Sequence, residues 1–133
     1  MTKVGALRGL MKVMGYACVA IGLYHLLLGN AAIPGAASAG ATVDSLGRFF
    51  GAIFAGYGVA WLRAARRSPI PVTAVHWLAG LMLLGGLGRI LSIAADGWPH
   101  WFQLVLGAVE LLLPPLFFWL AHPAGQPRRP ADA

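Results

Sequence analysis

The chain has 133 residues, of which 59% are hydrophobic and only 11% charged, and its formal net charge is +6. Soluble domains carry about 25% charged residues, so the composition excludes an ordinary soluble domain and indicates an integral membrane protein. A net positive charge is also typical of proteins that bind nucleic acid. Here, however, most of the Lys and Arg residues lie at the ends of apolar segments, where membrane proteins keep them on the cytoplasmic side. We therefore expect membrane lipids as partners and no nucleic acid.

Four apolar segments are long enough to cross a bilayer as helices, which takes about 20 residues each. The sequence predicts an all-α, integral membrane, antiparallel four-helix bundle within residues 1–122. A tail rich in Pro and Ala follows over residues 123–133 and is expected to be disordered. The predicted spans cover approximately residues 10–29, 43–62, 72–93 and 99–121.

The basic residues predict how the bundle is oriented. The connection between the first two spans holds no Lys or Arg, whereas the next connection holds Arg63, Arg66 and Arg67. The N-terminal segment and the tail are also basic. This distribution predicts a multi-pass protein of the bacterial inner membrane with both termini in the cytoplasm.

A cleaved signal peptide is the alternative for the first span, because the small residues 35–39 follow it. The apolar run is longer than a typical signal core, and it contains Tyr24 and His25. Both features favour a retained helix.

Small and polar residues recur at steps of three and four along each span, which places them on one helix face. Small residues let helices approach closely in lipid, so each of these stripes is predicted to face the bundle interior. The four stripes contain Gly15, Cys18, Gly22, His25 and Gly29; Asp44, Arg48, Gly51, Ala55 and Gly58; Gly85, Arg89, Ser92 and Asp96; and His100, Gln103, Gly107, Glu110 and Pro114.

The ionisable residues within the spans gather in the outer half of the predicted bundle. Charges inside a membrane are costly and usually mark a site. Glu110 is the deepest, roughly 16 Å below Pro99 at a rise of about 1.5 Å per residue. Pairing with an arginine, or protonation, would remove much of the free-energy cost of placing this carboxylate inside the membrane. The predicted ligand-binding residues are His25, Asp44, Arg48, Arg89, His100 and Glu110.

A purely structural interpretation stands beside the binding role for two arginines. Arg48 follows Asp44 at the i, i+4 spacing of a helical ion pair. Arg89 and Asp96 could form a similar pair at the outer surface.

No residue pattern indicates a catalytic site, a cofactor or a metal. His25, His100 and the scattered carboxylates lack metal-ligand spacing. The glycine-rich run at residues 85–88 lacks the strand and loop of a phosphate-binding motif. We expect no cofactor, and the sequence favours a role other than catalysis.

Four elements of the sequence are distinctive in combination: Asp44–Phe50, Gly85–Ser92, Gly97–Pro99 and Glu110. Together they resemble a group of small bacterial four-helix inner-membrane proteins catalogued as a domain of unknown function. That group is similar in architecture to DoxX-like membrane proteins. The resemblance extends from about Gly15 to Leu120 and implies a four-helix integral membrane protein, but no activity.

Three functional hypotheses remain open. The first is a binding or accessory protein whose polar cavity holds a small amphipathic or lipid-like ligand, or a membrane-protein partner, with Arg48 and Arg89 contacting an anionic head group. The second is a proton-coupled exporter that works as a homodimer around Glu110. The third is a membrane enzyme on a lipid-soluble substrate, with His25, His100 and Glu110 supplying acid–base chemistry.

Overall fold

The computed structural model describes residues 2–122. Within that range the chain forms four α-helices and no strands, which confirms the predicted all-α class. A short 3-10 helix, Gly29–Ala32, continues the first helix. The four helices are α1 (Lys3–Leu28), α2 (Ala41–Arg66), α3 (Val72–Asp96) and α4 (Trp101–Ala121).

The first three predicted spans lie within α1 with its 3-10 extension, α2 and α3, whereas α4 begins two residues after the start predicted at Pro99. The largest difference is at the basic end of α1. α1 begins at Lys3 because the Thr2 side chain accepts a hydrogen bond from the Gly5 N–H at 3.1 Å, which caps the helix. α2 continues to Arg66, one turn beyond the predicted span. The predicted disordered tail lies outside the described residues.

Among residues 2–122, three helices are long and apolar enough to cross a membrane: α1 with its 3-10 extension, α3 and α4. α2 is less apolar because it contains Asp44, Arg48 and several glycines. Large apolar side chains are nevertheless exposed on all four helices, far beyond what a soluble monomer shows. Examples are Leu27, Ile53, Leu84 and Leu112. The chain is therefore built as a membrane protein. That α2 also spans the membrane remains a prediction.

The helices pair as two antiparallel hairpins, α1 with α2 and α3 with α4. In the first hairpin, glycines bring the two backbones into contact. A Cβ atom on Gly58 would lie 2.6 Å from the carbonyl oxygen of Gly15, and a Cβ on Gly22 would lie 2.6 Å from that of Gly51. Both distances are too short for real atoms, so these positions require glycine. The prediction that small residues allow close helix approach is confirmed for this pair.

Two arginines tie the ends of the first hairpin together. Arg8 on α1 donates to the carbonyl oxygens of Ala65 and Arg67, where α2 ends. Arg48 on α2 makes the equivalent contact where α1 ends. The last carbonyls of a helix have no partner within it and carry partial negative charge. Each helix thus supplies a cation to the C-terminus of the other.

The two hairpins join through a buried core at the basic end of the bundle. Trp61 of α2 stacks on Phe117 of α4, with ring centroids 4.4 Å apart. Tyr57 donates a hydrogen bond from its hydroxyl to the carbonyl of Leu78 on α3. Beyond this core a cavity lies between the hairpins. The core residues are Leu7, Met11, Trp61, Ala64, Ala65, Ile70, Val75, Ala79, Phe117, Leu120 and Ala121.

Candidate functional site

A cavity of about 530 Å³ lies between the two hairpins, and all four helices contribute to it. We call it the inter-hairpin cavity. Its walls are mostly apolar, and its polar groups are few. Sites for small molecules typically have this composition and volumes of about 300–1,000 Å³. The lining residues are Met14, Ala17, Cys18, Ile21, His25, Phe50, Ile53, Phe54, Tyr57, Leu81, Met82, Gly85, Arg89, Leu106, Val109 and Glu110.

The central polar feature is a bridge from Arg89 on α3 to two side chains of α4. Arg89 Nε lies 2.6 Å from Glu110 Oε2, and Nη2 lies 3.1 Å from Oε1. A third donor, Nη1, lies 2.7 Å from Gln103 Oε1. Paired, charge-assisted contacts of this kind are strong and directional. We call these three side chains the Arg89 bridge. It balances the charge of Glu110, as a carboxylate within a bilayer requires.

Small residues make room for the bridge. A Cβ atom on Gly107 would lie 3.3 Å from Arg89 Cδ, so the arginine stem runs directly over this glycine. Gly86 faces Leu111 at the same helix crossing, where a Cβ would lie 2.8 Å from the leucine side chain. Pro114, one turn further along α4, has no N–H to donate to the carbonyl of Glu110. The close crossing therefore holds the guanidinium against the carboxylate.

A second cavity, of about 440 Å³, lies between α3 and α4. We call it the α3–α4 groove. No residue of α1 or α2 lines it, so it belongs to the surface of the second hairpin. Arg89 lines both this groove and the inter-hairpin cavity, whereas Glu110 lines only the latter. The lining residues of the groove are Gly86, Arg89, Ile90, Ser92, Ile93, Pro99, Gln103, Leu104, Gly107, Ala108 and Leu111.

Asp44 and Arg48 form a separate cluster at the end of α1. Arg48 Nε lies 2.7 Å from Asp44 Oδ2, and Arg48 Nη1 donates to the carbonyls of Leu26 and Leu27, each at 2.9 Å. Asp44 Oδ1 accepts from the backbone N–H of Asn30 at 2.9 Å. The pair lines neither cavity. Its contacts hold the turn after α1 against α2, as the structural interpretation of this pair requires.

The remaining predicted residues also differ in whether they line a cavity. His25 lines the inter-hairpin cavity, as Arg89 and Glu110 do. His100 lies at the start of α4, where its Nδ1 accepts from the Phe102 N–H at 3.3 Å, and it lines neither cavity. Asp96 is exposed at the end of α3. The alternative pairing of Arg89 with Asp96 is wrong, because the guanidinium reaches Glu110 instead.

Two polar residues of the site were not among the predicted site residues. Gln103 precedes Glu110 by seven residues on the same face of α4, so the stripe pattern contained the signal. Tyr57 carried no comparable signal, since an aromatic residue one turn from Trp61 is typical of a core. Within residues 2–122, no three His, Cys, Asp or Glu side chains gather as metal ligands would.

The hairpin architecture, the exposed apolar faces and the ion pair inside an apolar cavity define a helical membrane bundle with an internal polar site. The chain belongs to the protein family described as a domain of unknown function, DUF4345, which it matches over residues 6–121. That range covers nearly all of the four helices and every predicted site residue. No curated protein and no solved structure matches the chain.

Proposed function

We propose that this protein is a membrane binding protein whose inter-hairpin cavity holds a small amphipathic molecule. The observation that carries the proposal is the ion pair of Arg89 and Glu110 set into an apolar wall of a cavity of about 530 Å³. Apolar walls favour a hydrocarbon body, while a few converging polar groups orient one polar end.

The charge balance of the cavity favours a neutral polar head group. Glu110 neutralises Arg89, and adding a net charge to a balanced pair in a medium of low dielectric constant is costly. The bridge offers both N–H donors and carboxylate acceptors, and His25 and Tyr57 add further polar atoms. A hydroxyl or carbonyl head group can use both kinds of contact.

The proposal leaves Asp44, Arg48 and His100 outside the ligand site, because their contacts hold the ends of helices. Proton-coupled export by a dimer, and catalysis on a lipid-soluble substrate, stay predictions, as do a membrane-protein partner and the likeness to DoxX-like proteins. In a proton-coupled transport cycle, Glu110 would have to break its ion pair with Arg89 and bind a proton instead.

We further propose a location in the bacterial inner membrane with both termini cytoplasmic. The positions of the basic residues support this orientation. Lys3, Arg8 and Lys12 at the start of α1 lie at the same end of the bundle as Arg63 and Arg66 at the end of α2. Clusters of this kind stay on the cytoplasmic side.

Two alanines, one in the wall of each cavity, provide a matched test. Ala17 lines only the inter-hairpin cavity, and Ala108 lines only the α3–α4 groove. We expect Ala17→Phe to weaken binding of a neutral long-chain alcohol at least tenfold, because the ring occupies the cavity, while Ala108→Phe leaves it within twofold of wild type. Calorimetric titration of the purified protein in mild detergent measures both.

Native mass spectrometry of the same samples shows whether a molecule co-purifies. A small molecule retained by wild type and by Ala108→Phe, but lost from Ala17→Phe, would support the proposal and reveal the ligand class. Equal alcohol binding by all three proteins would contradict it, because the cavity would then not be the site.

A further inference from the structure

The α3–α4 groove differs from the inter-hairpin cavity in the charge that it presents. Arg89 reaches both, but the carboxylate of Glu110 lines only the cavity, and no Asp or Glu lines the groove. A ligand in the groove therefore meets the side of the guanidinium that Glu110 does not cover, although Arg89 is still paired with this carboxylate. The two spaces share Arg89 but differ in access to Glu110.

The polar groups of the groove are mainly donors. A guanidinium has five N–H groups, and the Arg89 bridge uses three of them. Gln103 accepts from Arg89 through Oε1, which leaves its amide N–H groups as donors. Ser92 contributes a hydroxyl to the same lining. A set of donors around a cation fits a phosphate or a carboxylate.

The remaining walls fit a hydrocarbon chain. Ile90, Ile93, Leu104 and Leu111 line the groove beside the polar groups. Because only the second hairpin bounds the groove, it opens to the surroundings of the bundle, and in a bilayer those surroundings are lipid. Membrane lipids therefore have direct access to the groove.

We infer that the α3–α4 groove binds an anionic membrane lipid, with its head group held by Arg89, Gln103 and Ser92 and an acyl chain along the apolar walls. This site is distinct from the inter-hairpin cavity in place and in ligand class, and it does not depend on what the cavity binds. The two are linked, because a lipid head group competes with Glu110 for Arg89. Removing the negative charge of Glu110 should strengthen lipid binding.

The test compares phosphatidylglycerol with phosphatidylcholine on the purified full chain. The protein is reconstituted with equal amounts of the two lipids, and native mass spectrometry gives the ratio of bound species. We expect wild type to retain phosphatidylglycerol preferentially. Ala108→Phe and Arg89→Gln should each reduce the preference about tenfold, whereas Glu110→Gln should increase it several-fold.

Two controls separate the groove from other sites. Ala17→Phe fills the inter-hairpin cavity and should keep the wild-type preference, so failure of the proposed function does not affect this result. Arg66→Gln removes an exposed cation at the basic end and should also keep it. Loss of preference in Arg66→Gln with none in Ala108→Phe would place the lipid at the basic end and overturn the inference. An unchanged preference in Ala108→Phe, which leaves the ion pair intact, would overturn it even if Arg89→Gln failed to fold.

Discussion

Arg89 is the ionisable residue that lines both the inter-hairpin cavity and the α3–α4 groove, the two proposed binding sites. Its side chain is 33% exposed and that of Glu110 is 22% exposed, so the pair is neither fully buried nor freely solvated. Removing one partner leaves a charge in an apolar setting, and for buried pairs this costs more than the pair itself contributes. The two residues should therefore behave as a unit in stability as well as in binding.

We expect Arg89→Gln to lower the free energy of unfolding by about 2 kcal/mol, because Glu110 loses a bidentate partner. Glu110→Gln should cost somewhat less, since its amide oxygen still accepts a hydrogen bond. The double variant should lose about 1–2 kcal/mol less than the sum of the two single losses. Unfolding in mixed micelles with increasing denaturing detergent measures all three. Additive losses would mean that the two side chains do not interact.

At the scale of the helices, glycine positions determine how the first hairpin packs. Lipid tails are as apolar as the helices, so helix association in a membrane relies on close contact between surfaces. Gly58 meets the backbone of α1 directly, whereas a Cβ atom on Gly56 would meet nothing within 4 Å. The two glycines lie in the same helix and differ only in the face that they occupy.

Gly58→Ala should therefore destabilise the protein by about 1–3 kcal/mol, because the new methyl group forces α1 and α2 apart. Gly56→Ala should be neutral or stabilising by about 0.5–1 kcal/mol, since alanine favours the helix and touches no neighbour. Thermal unfolding of the two variants in the same detergent gives the comparison. A similar loss of stability in both variants would contradict the backbone contact at Gly58. It would indicate instead that alanine destabilises α2 at either glycine, whichever face the glycine occupies.

The sequence was sufficient to predict the helices and the inward faces of α1 and α2, because apolar length and three–four spacing are local properties. On α3 the predicted stripe does not face the interior along its whole length, since Ser92 and Asp96 are exposed. The spacing also predicted the pair of Asp44 and Arg48 within α2.

The sequence was not sufficient to predict the partner of Arg89, because depth alone left this arginine in reach of both Asp96 and Glu110. Its partner depends on how α3 and α4 rotate about their axes, and therefore on contacts between residues far apart in the chain, such as those at Gly86 and Gly107.

At the scale of the whole molecule, one end is basic and the other is not. Two exposed serines mark these ends: Ser38 lies in the connection between α1 and α2, and Ser68 lies between α2 and α3. If the basic end is cytoplasmic, the two serines lie on opposite sides of the membrane.

In a background with Cys18→Ala, we expect Ser38→Cys to react with a membrane-impermeant thiol reagent on intact cells. Ser68→Cys should react only after the cells are opened. After labelling, the mass of the purified protein shows whether each cysteine has reacted with the reagent. The reverse pattern would invert the orientation, and labelling of both sites on intact cells would mean that α2 does not span the membrane.

The hairpins are joined by their core at the basic end, while the inter-hairpin cavity separates them beyond it. Because the two hairpins are joined mainly at the basic end, lateral forces at the other end of the bundle would act on the distance between them. In a bilayer those forces are the lateral pressure of the acyl chains, which varies with depth and with lipid composition. Chains that press harder at the level of Phe50 and Leu106 would narrow the cavity, and looser packing would widen it. We therefore expect the volume of the cavity to depend on the lipid composition of the membrane as well as on the chain itself.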